Sequence, residues 1–103
     1  MTNEKFIEIV SKQMETCLLL LGAKGAEYSL EQDRLIAFKR AANLQGENMK
    51  QALAGMMAKH VISIYDMCIS DDTFSDERWT EKITDTMNYL LLLKAVIEEE
   101  KDG

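Results

Sequence analysis

The chain has 103 residues, of which 47% are hydrophobic and 29% are charged, a mixture typical of a globular domain and unlike that of a disordered chain. Its net charge of −6 repels the phosphate backbone, so we expect no non-specific nucleic-acid binding. It has no proline and five glycines, too few turn-forming residues for a β-rich fold. We therefore expect one all-α domain that spans residues 1–103.

The sequence also bears on the compartment. The first ten residues lack a basic segment followed by an apolar one, so we expect no signal peptide. No strictly apolar run approaches the roughly 20 residues that cross a membrane, so we expect no membrane interaction. Cys17 and Cys68 stand among apolar neighbours and are predicted to be buried free thiols of a cytoplasmic protein.

Two helices are predicted in the first half of the chain. Helix 1 is expected over about residues 3–21, because apolar residues recur there every three or four positions and Gly22 follows. Helix 2 is expected over about residues 29–44, because Ser29 and Gln32 have the spacing of a capping box. The residues of helix 2 that should face the core are Leu35, Phe38, Ala41 and Ala42.

Two longer helices are predicted in the second half, over about residues 47–69 and from 75 or 79 to about 101. A strand over residues 60–67 is the alternative for part of helix 3, but that stretch continues a long run of helix-forming residues. The residues of helix 4 that should face the core are Trp79, Ile83, Met87, Leu90 and Ile97. Because Leu92 and Val96 make the opposite face apolar as well, helix 4 is either central in a four-helix bundle or packed against another subunit, and we expect a homo-oligomer.

Helix 3 carries a polar strip on an otherwise apolar surface. Lys59, Ser63 and Asp66 fall at positions i, i+4 and i+7, and His60 borders them. The strip is either solvated surface or the wall of a polar cleft. In a cleft, Lys59 would neutralise phosphate charge and Asp66 would help to hold a metal ion, while the role of His60 is left open.

Helix 4 carries two carboxylates one turn apart. Glu81 and Asp85 can reach the same ion, and Mg²⁺ prefers such oxygen ligands. The pair is either a magnesium site or two ordinary surface acids. In the same helix, Asn88 is a candidate for hydrogen bonds to the edge of a nucleobase, and Tyr89 is a candidate for stacking on it.

The segment of residues 24–40 is dense in residues that bind nucleotides. Tyr28 is expected to lie just before helix 2, where its ring can stack on a base. Arg34 and Lys39 follow near the start of that helix and are candidates for phosphate binding. The alternative is an exposed helix with mixed surface charges.

Three blocks of sequence resemble small proteins encoded by phages and prophages of Gram-positive bacteria. The blocks are K-x-x-E-Y-x-x-x-x-D-R-L-x-x-F-K over residues 24–39, K-H-x-x-S-I-x-D over 59–66 and W-x-E-K-x-x-D-x-x-N-Y over 79–89. They are also similar to the nucleotide-modification-associated domain family. More distantly, the layout resembles the all-α nucleoside-triphosphate pyrophosphohydrolases of the MazG type. That resemblance implies an oligomer of four-helix units in which carboxylates on two helices hold Mg²⁺.

Together these observations predict a phage-type protein of nucleotide metabolism or nucleotide modification in the bacterial cytoplasm. It would bind a nucleotide, and Mg²⁺-dependent hydrolysis of a phosphoanhydride by a metal-activated water is left open, as is enzyme activity itself. The alternative is a small, non-catalytic phage interaction protein that binds another protein through apolar helix faces. Seven methionines suit such an adaptable surface.

Overall fold

A computed structural model describes residues 1–25 and 33–102, which form four α-helices. The helices are α1 (Asn3–Gly25), α2 (Ile36–Gln45), α3 (Met49–Ile69) and α4 (Asp76–Asp102). Within these described ranges there is no strand, which confirms the all-α prediction and the helical assignment of residues 60–67.

Local sequence signals set the starts of α3 and α4 and the end of α2. At the start of α3, Asn48 Oδ1 accepts the backbone N–H of Gln51 at 2.9 Å, and Gln51 Oε1 accepts that of Asn48 at 3.0 Å. At the start of α4, Ser75 Oγ accepts the N–H of Arg78 at 3.1 Å. Gly46, at φ 66°, ends α2 in the left-handed region, which lets α2 and α3 form a tight helical hairpin.

The start of α2 differs from the prediction. Residues 33–35 are not helical, so a continuous helix over 29–44 is wrong, and α2 begins at Ile36. The reason is a local turn in which Asp33 Oδ1 accepts the N–H of Leu35 at 2.9 Å and competes with helix formation. The predicted capping box of Ser29 and Gln32 lies outside the described residues.

Helix α4 is the centre of the packing. Both α1 and α3 pack on α4, while α2 packs on α3, and in the described part of the chain α1 touches neither α2 nor α3. The buried apolar core lies between α2, α3 and α4 and consists of Leu35, Phe38, Leu53 and Val96. As predicted, Leu35, Phe38 and Ala42 of the second helical region are buried.

The inward side of α4 differs in part from the prediction. Val96 is fully buried and Leu92 packs against the core, whereas Ile83 and Leu90 are exposed. The assignment of Ile83 and Leu90 to the core is therefore wrong, while Trp79, Met87 and Ile97 are half-buried. Of the two expectations for Leu92 and Val96, a central α4 is the one observed, because these residues pack within the chain and not on a surface for a second copy. The physical reason is that α2 and α3 cover the side of α4 that begins with polar residues, so Asn88 is buried beside the core.

The thiols and the most apolar helix also depart from expectation. Cys17 is buried as predicted, but Cys68 is exposed, and both are free thiols. By length and composition alone, α3 is the one helix of the described ranges that suits a membrane crossing. It packs here against α2 and α4.

The complete burial of Leu53 predicts that truncation of its side chain destabilises the fold. Leu53→Ala should lower the free energy of unfolding by about 2–5 kcal/mol, because Leu53 is fully buried and its removal leaves a cavity. Leu44→Ala is the matched control, since Leu44 is 88% exposed, and should change it by less than about 0.5 kcal/mol. Urea unfolding followed by circular dichroism measures both values. Similar losses for the two variants would contradict the packing described.

Candidate functional site

A cleft of about 310 Å³ opens where the end of α1, the start of α2 and the middle of α3 and α4 converge. Its apolar lining comes mainly from Phe38, Met56 and Leu92, which continue the core. Its polar lining consists of Arg34, His60, Asp85, Asn88 and Tyr89. We call it the central cleft. Its volume lies at the small end of the roughly 300–1,000 Å³ range of small-molecule sites.

Asn88 is the most unusual residue of the central cleft. It is only 6% exposed, and its Oδ1 atom is buried with no hydrogen-bond partner among the described residues. An unpaired buried acceptor costs about 1–3 kcal/mol, so such a group is uncommon unless it serves a purpose. The position of Asn88 on the inner side of α4 therefore marks a place where a ligand donor would be stabilised.

Two rings form one wall of the central cleft. His60 of α3 and Tyr89 of α4 pack with their ring centroids 4.9 Å apart and their planes tilted by 37°. The pair joins the two helices and presents flat, partly buried ring surfaces whose polar atoms can hydrogen-bond. Planar ligands fit such a wall because they keep apolar contact on the face and polar contact at the edge.

Charges of both signs line the central cleft. Arg34 Nη2 donates to the carbonyl oxygen of Leu21 at 3.3 Å, which fixes the guanidinium between the end of α1 and the start of α2. Asp85 of α4 lines the same cleft and is half-buried. An anionic group of a ligand can pair with Arg34, and a cation can pair with Asp85.

Glu81, the other predicted metal ligand of α4, lies outside the central cleft. It lines a groove of about 470 Å³ between α1 and α4, and Asp85 lies at the edge shared by the groove and the cleft. Thr16 and Leu20 form the α1 side of the groove. In the described ranges no three His, Cys, Asp or Glu side chains come close enough together to hold a metal ion.

Lys59 and Asp66 lie on a third surface. They line a shallow depression of about 530 Å³, together with Phe74 and Arg78 at the entry to α4. Neither lines the central cleft or the groove that contains Glu81. The polar strip of α3 therefore faces a depression of its own, and the predicted lysine and three acids do not share one cavity.

Lys39 holds the start of α2 to the end of α4. Its Nζ donates to the carboxylate of Asp33 and, at 2.7 Å, to Glu99 Oε1. The hydrogen bond from Lys39, with a smaller contribution from the Leu35 N–H, holds the pKa of Asp33 below its usual value. The hydrogen bonds to Asp33 and then Glu99 raise the pKa of Lys39. The charge of Lys39 is thus paired within the fold, away from the central cleft.

Of the predicted site residues, the structure brings Arg34, Asp85, Asn88 and Tyr89 together around one cleft. Tyr28 lies outside the described residues. His60 also lines the cleft, although the sequence assigned it no role and placed it only at the border of the α3 polar strip. No sequence signal pointed to the unpaired acceptor of Asn88, because it arises only from the packing around it.

No protein-family model, curated protein or solved structure matches the chain.

The Lys39 ion pairs predict the acid titration of Asp33. In Lys39→Met the pKa of Asp33 should rise toward its ordinary value of 3.8, because the main group that stabilises the carboxylate is gone. Since folding lowers this pKa, Asp33 stabilises the wild-type fold fully above pH 3.8, and that contribution is lost as the pH falls through the lower folded-state pKa. Carboxyl-detected NMR titration measures the pKa.

The matched control is Lys94→Met, because Lys94 pairs with Glu98 and not with Asp33. It should leave the Asp33 titration unchanged. An Asp33 pKa that is the same in wild type and Lys39→Met would contradict the role given to this ion pair.

Proposed function

We propose that the protein binds a nucleotide in the central cleft. The observation that carries the proposal is the buried, unpaired Oδ1 of Asn88 beside the His60–Tyr89 ring pair. A ligand that fits must offer a hydrogen-bond donor at a planar edge and a flat apolar face. A nucleobase has both features, and their arrangement in one ligand explains why a buried amide and an aromatic wall lie together.

The base would lie against the ring pair and direct its edge at Asn88. Stacking of a base on an aromatic side chain contributes about 1–3 kcal/mol where it has been measured in single-stranded nucleic-acid complexes. The carboxamide of Asn88 has both a donor and an acceptor, as base edges do. A donor on the base, such as an exocyclic amine, would satisfy the acceptor that the protein leaves unpaired.

The phosphate would lie toward Arg34. The guanidinium is planar and its parallel N–H groups suit two oxygens of a phosphate. Its hydrogen bond to Leu21 already orients it at the cleft, so less conformational freedom is lost on binding. Lys39 and Lys59 have no place in this proposal, because neither lines the central cleft.

A magnesium ion would accompany the phosphate at Asp85. Mg²⁺ keeps several waters and commonly takes one or two carboxylates and the phosphates of its nucleotide, so a ready-made cluster of three protein ligands is not needed. Asp85 supplies one carboxylate at the edge of the cleft, and Glu81 is one turn away on α4. Whether hydrolysis follows binding is tested by measuring the phosphate that is released when the nucleotide and Mg²⁺ are incubated with the protein.

The setting of the proposal is nucleotide metabolism in the cytoplasm of a phage-infected or lysogenic bacterium, with a four-helix bundle as the binding unit. Its support is the resemblance of the three sequence blocks to phage and prophage proteins, two of which contain Arg34, Asp85, Asn88 and Tyr89. The convergence of those four residues on one cleft fits that resemblance.

Protein binding is the second candidate function, because large apolar side chains lie exposed along α1 and α3. Among them are Ile7, Leu18, Ile62 and Tyr65. The two functions differ in the ligand that raises the melting temperature. Only a protein with a nucleotide site is stabilised by nucleotides, since a ligand stabilises the state it binds.

The role of Asn88 predicts opposite effects on binding and stability. A panel of nucleosides and their mono-, di- and triphosphates should contain a ligand that raises the melting temperature of the wild-type protein. Asn88→Leu should abolish that shift, because among the described residues that line the cleft Asn88 is the only one with a side-chain amide. It should not lower the melting temperature of the free protein, because replacing an unpaired buried polar group by an apolar group of similar size is neutral or stabilising.

The matched control is Asn43→Leu, which makes the same chemical change on the exposed surface of α2. It should retain the ligand-induced shift. A panel that leaves the wild-type protein unshifted, or an Asn88→Leu variant that still binds with wild-type affinity, would contradict the proposal.

The role of Asp85 is tested by the dependence of binding on magnesium. Calorimetric titration of the wild-type protein with the nucleotide found above should show tighter binding with Mg²⁺ than with a chelator. Asp85→Asn should lose that increment while retaining the Mg²⁺-independent affinity, because it removes the anionic ligand but keeps the shape. Asp66→Asn is the control, since Asp66 lines the separate depression on α3. Equal wild-type affinities with and without Mg²⁺ would end the cation part of the proposal.

A further inference from the structure

Helix α1 is held to the rest of the described structure by its packing on α4 and, at its end, by the hydrogen bond from Arg34 to Leu21. Gln13 Nε2 donates to Thr84 Oγ1 at 2.7 Å, and the Sγ atom of Cys17 lies 3.9 Å from the Sδ atom of Met87. Cys17 is the only buried residue whose side chain is described on α1. A helix of 23 residues with one buried side chain among those described makes few stabilising contacts with the described part of the chain.

The uncovered side of α1 is apolar. Ile7, Val10, Met14 and Leu18 are all exposed, and Leu18 is 71% exposed. Their spacing of three, four and four residues places them in one stripe along about 16 Å of the helix. In a soluble protein such a stripe is normally covered, because exposure of a continuous apolar surface to water is unfavourable.

The outer side of α4 continues that stripe. Ile83 and Leu90 are exposed, with Leu90 at 52%, and they lie roughly 140–160° around the helix from the inward-facing Asn88. The pairs Gln13–Thr84 and Cys17–Met87 advance in the same direction along both helices, so α1 and α4 run parallel. In this parallel arrangement, the apolar stripe of α1 and the outer side of α4 face the same side of the molecule.

Helix α3 extends the same surface on the far flank of α4. The side of α3 that meets α4 is marked by His60, which packs on Tyr89, and by Lys50, whose Nζ lies 3.1 Å from Glu100. Val61 lies only about 20° around α3 from Lys50 and is exposed. We call the combined surface the open face, defined by Ile7, Met14, Leu18, Val61, Ile83 and Leu90.

The exposed area has the size that a permanent dimer removes from water. The chain exposes 7704 Å², against roughly 5,900 Å² for a folded monomer of its mass, a difference of roughly 1,800 Å². Its radius of gyration is 16.0 Å, against about 13 Å for a compact chain of this length. Obligate homodimers bury about 1,000–2,500 Å² on each copy, a range that includes this difference.

We propose that the open face is the contact of a symmetric homodimer, in which α1 and α4 of each copy cover α1 and α4 of the other. A second copy is the occupant that this surface fits, because a two-fold contact joins one surface to itself and needs only a self-complementary apolar face. The contact differs from the one expected from Leu92 and Val96, since those residues lie in the core of one chain. It shares no residue with the central cleft, which opens on the opposite side of α4.

The test is the oligomeric state of the full chain by sedimentation equilibrium. The wild-type protein should be a dimer at micromolar concentration. Leu18→Glu on α1 and Leu90→Glu on α4 should each weaken the dimer by about a hundredfold or more, because each places a charge in an apolar contact. Both residues are exposed in the single chain, so the variants should retain the wild-type helix content by circular dichroism.

The matched control is Leu44→Glu, which makes the same change at an exposed leucine at the end of α2, away from the open face. It should dimerise as the wild type does. A wild-type chain that is monomeric, or a dimer that neither Leu18→Glu nor Leu90→Glu weakens, would overturn the proposal. A monomeric chain that co-sediments with phosphatidylcholine vesicles would assign the open face to a membrane.

Discussion

The contact between the inner side of α4 and the α2–α3 hairpin is the interaction on which the rest of the structure depends. Val96 and Leu53 are fully buried there, and Phe38 and Leu35 close the contact from α2. Burial of four such side chains is the main apolar contribution that the chain makes by itself. Because this contact selects which side of α4 turns inward, it also determines that Asn88 is buried and that Leu90 is exposed.

The central cleft is a consequence of the same contact. Along α4 toward its start, the apolar residues of the core are followed by Asn88 and Asp85, which line the cleft. The side chains available there are too polar to close the space, so the helices enclose a cleft instead of continuing the core. Stability and the candidate site are thus in conflict at Asn88, whose unpaired acceptor lowers the stability of the free protein. Such a conflict is typical of positions retained for binding.

The sequence was sufficient for the helices because their signals are local. The apolar period predicted α1 and α3, and the end of α3 at Ile69 was predicted to the residue. It was insufficient for the start of α2, where the turn at Asp33 depends on a hydrogen bond that propensity does not report. It failed for the faces of α4, because both sides are apolar over part of their length, and only the packing of the hairpin distinguishes them. The site was predictable only in part, because the sequence shows the residue types but not which side of a helix the packing turns inward. Asn88 and Tyr89 were identified by residue type, whereas Lys59 was grouped with them by a strip that faces elsewhere.

The open face and the central cleft lie on opposite sides of α4, and α1 belongs to both. Leu21, near the end of α1, lines the cleft and accepts the hydrogen bond of Arg34, while Leu18, one turn earlier, lies on the open face. Among the described helices α1 packs on α4 alone, so the wall that it gives to the cleft depends on that packing. A second copy that packs against the α1 stripe would restrict the motion of α1 and thereby fix the position of Leu21. Less ordering would then remain to oppose ligand binding, so dimerisation and binding would favour each other without a shared residue.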